Sequence, residues 1–181
     1  MNRRDRRPPP PLDAAALERL ALRYVERFAT TRGKLVDYLR RKVRERGWEG
    51  EAADAPADFG ALTERFAVLG YLDDRGYAEH KAAALARRGL GARRVEGALV
   101  QARVDEADRD ALAPAIADRA VDAALAFARR KRLGPWGDGA GDRALREKQL
   151  AAMLCAGHPL DLARRIVALP PGEEPDPATL I

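Results

Sequence analysis

The sequence predicts an all-α protein, and three observations carry that prediction. Of its 181 residues 46% are hydrophobic but only 6% aromatic; alanine, leucine and arginine dominate, and β-branched residues are scattered singly, a composition that suits helices better than strands. Apolar residues recur at spacings of three, four and seven, the period of one helical face. The amphipathic runs begin at Thr or Asp and end at Gly, the residues that cap helix starts and stops.

Taken in order, residues 1–13 hold Arg3, Arg4, Arg6, Arg7 and four consecutive prolines from Pro8. Such a segment has no apolar side to bury and is expected to be an extended, disordered basic arm. A first helix is expected over residues 14–29, with Leu17, Leu20, Ala21, Tyr24 and Phe28 on one face. Thr31 is placed to cap a second helix carrying Leu35, Leu39 and Val43 and stopping at Gly47. Residues 48–57 read as a loop broken by Pro56. Asp58 opens a third helix with Phe59, Leu62, Phe66 and Leu69 as its stripe, ending at Gly70.

Asp73 or Asp74 caps a fourth helix, expected to bury Tyr77, Lys81, Ala84 and Leu85 before Gly89; a fifth follows from Ala92 with Val95, Ala98, Leu99 and Ala102. Pro114 lacks an amide N–H and suits a first helical turn, so a long helix is expected from Pro114 towards Arg132, after one short helical segment. Residues 134–141 form a glycine-rich loop, Asp142 caps a helix that stops at Gly157, and Pro159 starts the last helix with Leu162, Ile166 and Leu169. The tail from Pro170, with Glu173, Glu174 and Asp176, is expected to be disordered.

These caps and stops recur in register. Thr31 to Gly47 spans the same interval as Asp73 to Gly89, and Asp142 to Gly157 is one residue shorter. Four positions before each glycine stand Val43, Leu85 and Met153; twelve before stand Leu35, Tyr77 and Leu145. A helix pair of this size buries too little apolar surface to stand alone, so such units stack on their neighbours. The expected architecture is an elongated, curved array of about three tandem, helix-turn-helix-like repeats of three helices: residues 14–70, 71–113 and 114–169, flanked by the arm 1–13 and the acidic tail 170–181. Arrays of this kind offer an extended binding face rather than a deep pocket.

Composition excludes several classes. The lone Cys155 allows no internal disulfide, and one thiol with two histidines cannot make a four-ligand zinc site. No apolar run approaches the ~20 residues that span a bilayer, so no membrane association and a cytoplasmic location are expected. Asp73 and Asp74 invite a reading as catalytic or metal-binding carboxylates, but neighbours at a helix start do not face each other, and capping explains them better. Gly89-Leu90-Gly91 has neither the preceding strand nor the lysine of a phosphate-binding loop, and reads as a tight turn between packed helices. His80 and His158 have no nucleophile or carboxylate at a suggestive spacing, and Trp48 and Trp136 read as loop residues covering the core. No enzyme and no cofactor are expected.

The most specific stretch is Gly-Tyr-Leu-Asp-Asp at residues 70–74, followed after one helix by Arg-Gly-Leu-Gly-Ala-Arg-Arg-Val at residues 88–95 and a helix ending near Ala102. This pattern resembles the RecX regulatory proteins of bacteria, modulators of the RecA recombinase. Residues 35–47 are similar to that family's first-repeat helix, and residues 145–166 form a weaker third copy. The resemblance implies a monomeric regulator that lodges in the groove of a RecA filament and modulates its ATPase and strand-exchange activity in DNA repair, recombination and the SOS response.

The formal charge is +5, and the acidic tail makes the rest of the chain more basic still. Basic clusters fall at Arg40, Arg41, Lys42 and Arg44; at Arg87 and Arg88; at Arg93 and Arg94; at Arg129, Arg130, Lys131 and Arg132; and at Arg164 and Arg165. Two readings fit. They are solvated side chains stabilised by helix C-terminal dipoles, or they lie along one side of the repeats as a face for an acidic partner or for phosphates. The resemblance implies a RecA filament as partner; the basic helix-turn-helix units leave, as an alternative function, a stand-alone module that binds single- or double-stranded DNA.

Overall fold

In the computed structural model, which describes residues 10–49, 57–137 and 143–180, the chain is all-α. Nine α-helices are present among the described residues: α1 Ala14–Val25, α2 Arg32–Arg46, α3 Phe59–Val68, α4 Asp74–Arg87, α5 Ala92–Gln101, α6 Glu106–Ala117, α7 Ala120–Lys131, α8 Arg143–Cys155 and α9 Leu160–Ala168. Two short 3-10 helices occupy Gly134–Trp136 and Pro177–Leu180. The expected cap Asp142, the basic residues of the N-terminal arm and Pro56 lie outside the described residues.

The chain divides into two compact units, Met1–Tyr77 with Ala102–Val104, and Ala78–Gln101 with Asp105–Ile181. In the first unit α1, α2 and α3 enclose a core of Leu17, Ala21, Leu35, Leu39, Leu62, Phe66 and Leu72, with Trp48 packed against it. Its helix starts are capped as the sequence predicts: Thr31 accepts from the Lys34 N–H at 3.1 Å and Asp58 from the Ala61 N–H at 2.8 Å. The buried Thr31 hydroxyl also donates to the Ala102 carbonyl at 2.5 Å, which draws residues 102–104 into this unit. The two aspartates divide their work. Asp73 caps its own helix, accepting from the Gly76 N–H at 2.8 Å. Asp74, almost fully buried, accepts from the Arg32 N–H at 2.9 Å, satisfying an orphan donor in the first turn of α2.

In the second unit Ala124, Phe127 and Ala128 of α7, Met153 and Ala156 of the α8 region, and Leu162, Ala163, Ile166 and Val167 of α9 form the core, with Trp136 against it. The stops Gly47, Gly89 and Gly157 all adopt positive φ, as their role in ending helices requires. The apolar register of the repeats is less uniform. Leu35 is buried, Tyr77 half-buried and Leu145 exposed.

Several expectations are corrected. The arm expected to be disordered through residue 13 is tied down at its end. Leu12 is fully buried, donates its N–H to the Gly47 carbonyl at 3.0 Å and accepts from the Glu49 N–H at 2.8 Å, while Arg46 holds the Pro10 carbonyl. Helix α1 stops at Val25 rather than near residue 29, because Thr31 must be extended to cap α2 and the reversal consumes the residues between. Phe28 is consequently 52% exposed. The buried face of α4 is Ala78, Ala82 and Leu85, and Tyr77, Lys81 and Ala84 are only half-buried.

The long helix from Pro114 does not form. Asp105 caps α6 through the Asp108 N–H at 2.8 Å, and that helix runs through Pro114. It then breaks at Asp118 and Arg119 before α7 begins. Pro114 sits on an exposed face, where water can serve the carbonyl one turn earlier that lacks its N–H partner. The acidic tail, too, has points of contact with the second unit. Leu180 is buried in the second core, and the Gly172 N–H donates to the Pro135 carbonyl at 2.9 Å. One apolar side chain anchors a segment whose composition otherwise argued against packing.

Candidate partner-binding surface

The basic residues of the second unit gather where helix ends meet. Gly89, at φ +73°, lies so close to α7 that a Cβ there would stand 2.8 Å from the Phe127 nitrogen. This close approach brings Arg88, just past the end of α4, to Arg130 in the last turn of α7. Arg130 joins the clusters: its guanidinium lies 5.6 Å from the Phe127 ring centroid and donates to the Arg88 carbonyl. Arg87, Arg88, Arg129, Lys131 and Arg132 are exposed. Both helix ends present carbonyl-rich, negative dipole termini, which lower the cost of crowding cations there.

Between the two helices lies an open concavity of about 380 Å³, lined by Ala83, Ala86 and Arg87 of α4 and by Arg119, Asp122, Ala123 and Ala126 on the α7 side. Its walls are alanine and its charged groups are two arginines and one aspartate. Arg119 was not legible as a surface residue in the sequence, because it falls within the helix expected from Pro114 to Arg132. Only the break before α7 puts it at that helix's start.

Arg93 and Arg94 open α5 and face the turn between α8 and α9. Arg94 donates to the Cys155 carbonyl at 2.7 Å, and the Arg93 N–H donates to the Gly157 carbonyl at 3.3 Å. Arg94 is therefore in large part a structural tie, while the Arg93 side chain is exposed.

The cluster on α2 belongs to the other unit and is more self-satisfied. Arg41 and Lys42 pair with Glu45 at 3.7 and 2.6 Å, and the lysine beside it, followed by its arginine neighbours, holds the Glu45 carboxyl below its ordinary range. Arg40 lies 5.8 Å from the Phe59 ring centroid, and Arg44 is exposed in the last turn.

No group of three His, Cys, Asp or Glu stands placed to hold a metal among the described residues, and there no helix is long and apolar enough to cross a membrane. His158 is buried beneath the basic surface. Its Nε2 lies 3.1 Å from the Gly89 carbonyl, which can only accept, so Nε2 carries the proton. Nδ1 meets no partner among the described residues, and the Phe127 ring lies 5.5 Å away.

Burial lowers the His158 pKa below its ordinary 6.5, partly opposed by the bond to Gly89. Below about pH 6.5 the unfolded chain therefore takes up a proton that the folded chain resists, and stability falls with pH; above it both forms are neutral and the effect vanishes. Melting curves from pH 7.5 down to 5 are expected to show a larger loss in the native chain than in His158→Gln. Parallel curves for the two proteins would remove His158 as the cause.

No protein-family model matches the chain. The regulatory protein RecX of Myxococcus xanthus (strain DK1622) is 33% identical to it over 159 residues, 83% of each chain. The chain belongs to the RecX family. The crystal structure of RecX from Lactobacillus salivarius shares its fold, with a TM-score of 0.59 at 19% identity, covering 84% of this chain and 93% of that one. In this member of the family the specific stretch at residues 70–74 and 88–95 is architecture: Asp73 and Asp74 serve two helix starts, and Gly89 and Gly91 allow close backbone packing.

Proposed function

We propose that this RecX-family chain is a non-enzymatic, cytoplasmic regulator that binds filaments of the RecA recombinase as a monomer and restrains their ATPase and strand-exchange activity in DNA repair and recombination. Membership of the RecX family carries this reading. The surface that carries Arg87, Arg88, Arg129, Arg130, Lys131 and Arg132 supports it, with Arg93 exposed at the start of α5. It is rich in cations, contains an alanine-walled concavity, and has the exposure and charge to meet an acidic protein face. Arg40, Arg41, Lys42, Arg44 and Arg94 are secondary contributors, since ion pairs, ring contacts or backbone bonds already engage four of them.

The test is co-sedimentation with recombinase filaments on single-stranded DNA, read together with DNA-dependent ATPase. The protein is expected to pellet with filaments and to lower ATP turnover in a dose-dependent way. An unchanged ATPase with the protein in excess sinks the proposal. Tight duplex binding with no filament association, weakening steeply with salt, supports instead a stand-alone helix-turn-helix module.

A further inference from the structure

We propose that the end of α1 and the adjoining face of α2 form a shelf for single-stranded nucleic acid, on which a base stacks against Phe28 while Arg23, Arg27 and Arg41 meet the phosphates. The shelf shares only Arg41 with the basic clusters described above, and it does not depend on the recombinase reading.

The sequence places Leu20, Arg23, Tyr24, Arg27 and Phe28 three or four residues apart, so that they share one side of α1 and of the turn that continues it. With Tyr38 and Arg41 of α2 they line an open concavity of about 510 Å³, within the size range of small-ligand sites. Tyr24 and Tyr38 stack with centroids 4.3 Å apart and planes 21° from parallel, and Phe28 leans on Tyr24 at 5.3 Å and 51°. The two tyrosines are half-buried and occupied with each other. Phe28 is 52% exposed, the ring of the three that still offers a face to solvent.

Cations surround this row of rings. Arg27 lies 5.9 Å from the Phe28 centroid, and Arg41 and Lys42 lie 5.6 and 5.9 Å from that of Tyr38. No carboxylate lines the concavity, and among the described residues Arg23 and Arg27 form no ion pair. Arg41 pairs with Glu45 only at 3.7 Å on an exposed surface, an interaction that exchanges readily for another anion.

Alternating rings and guanidinium groups along a groove are what a single strand requires, since every base has a π-face and every linkage a charge. A duplex hides its base faces within the stack, so it would use the arginines but not Phe28. An acidic peptide would likewise satisfy the arginines and leave the ring without a flat partner.

The experiment is fluorescence anisotropy of a labelled oligothymidylate with the full chain, without recombinase, over a range of salt. Phe28→Ala is expected to weaken binding by roughly tenfold, the effect of losing one stacked base, with the melting temperature unchanged because the ring is half-exposed. Phe28→Tyr should restore affinity. The double variant Arg23→Gln, Arg27→Gln should lower the slope of log affinity against log salt by roughly 0.7 for each phosphate no longer neutralised. Equal affinity of Phe28→Ala and the native chain overturns the proposal. So does equal affinity for duplex, or equal displacement of the strand by polyglutamate, either of which assigns the surface to charge alone.

Discussion

Reversing charge at Arg87, Arg88, Arg129 and Lys131 together is expected to reduce binding to recombinase filaments by tenfold or more at low salt, on the order of the effect that steering charges have on encounter. The difference from the native chain should shrink as salt rises, because exposed charges are screened beyond roughly 8 Å at physiological ionic strength. The choice of four follows from the structure. Arg94 and Arg130 are left intact because they donate to the Cys155 and Arg88 carbonyls, and their loss would confuse a folding defect with a binding one. The four chosen side chains are exposed, so helix content and melting temperature should stay close to native. Full retention of filament binding and ATPase inhibition in a folded variant would move the binding surface elsewhere on the chain.

The second large effect is on stability. A Cβ on Gly91 would stand 2.4 Å from both the carbon and the oxygen of the Gly157 carbonyl and 2.6 Å from the His158 nitrogen. These are backbone atoms that cannot rotate aside, and the Gly91 N–H donates to the Ala156 carbonyl at 2.9 Å across the same gap. Gly91→Ala must therefore part the α4–α5 turn from the α8–α9 turn. A loss at the upper end of the roughly 1–3 kcal/mol typical of overpacking is expected, read as a lowered denaturant midpoint. Gly97→Ala supplies the control. Gly97 lies within α5 with nothing within 4 Å of a Cβ, so alanine there should stabilise by up to about 1 kcal/mol. Similar responses at the two glycines would refute the close approach as the cause.

The contrast between these glycines shows why some of the chain was legible and some was not. Local chemistry was readable. Thr31, Asp58 and Asp73 accept the amide bonds expected of them, and Gly47, Gly89 and Gly157 take the positive φ expected where helices end. The stripes Leu17–Ala21, Leu35–Leu39 and Leu162–Ile166 are buried as their spacing predicts. In each case the deciding interaction lies within about one helical turn, and sequence separation and spatial separation are then nearly the same thing.

Where partners come from afar, the pattern misled. Tyr77 and Lys81 lie on a plausible face of α4, but the small Ala78 and Ala82 are the residues that the packing closes over. Pro114 reads as a helix start by local rule, yet the Asp105 cap begins α6 earlier and carries it through the proline. Leu12 and Leu180 stand among prolines and acids and are buried because distant backbone and side chains receive them. Phe28 fits the apolar period of α1 and is half-exposed because the cap of the next helix shortens its own.

Periodicity, capping and composition are properties of neighbours in the chain, and they suffice for the all-α class, the main helix starts and stops and, through the stretch at residues 70–74 and 88–95, the RecX family. Which basic residues meet is a matter of packing, since Arg88 and Arg130 are joined by the approach of Gly89 to Phe127. Packing likewise makes Asp74 serve the start of α2, turns Arg94 into a tie to Cys155, and leaves Phe28 open beside three arginines. Each of these depends on which surfaces close against which, and that is settled over the whole chain rather than by any local run of residues.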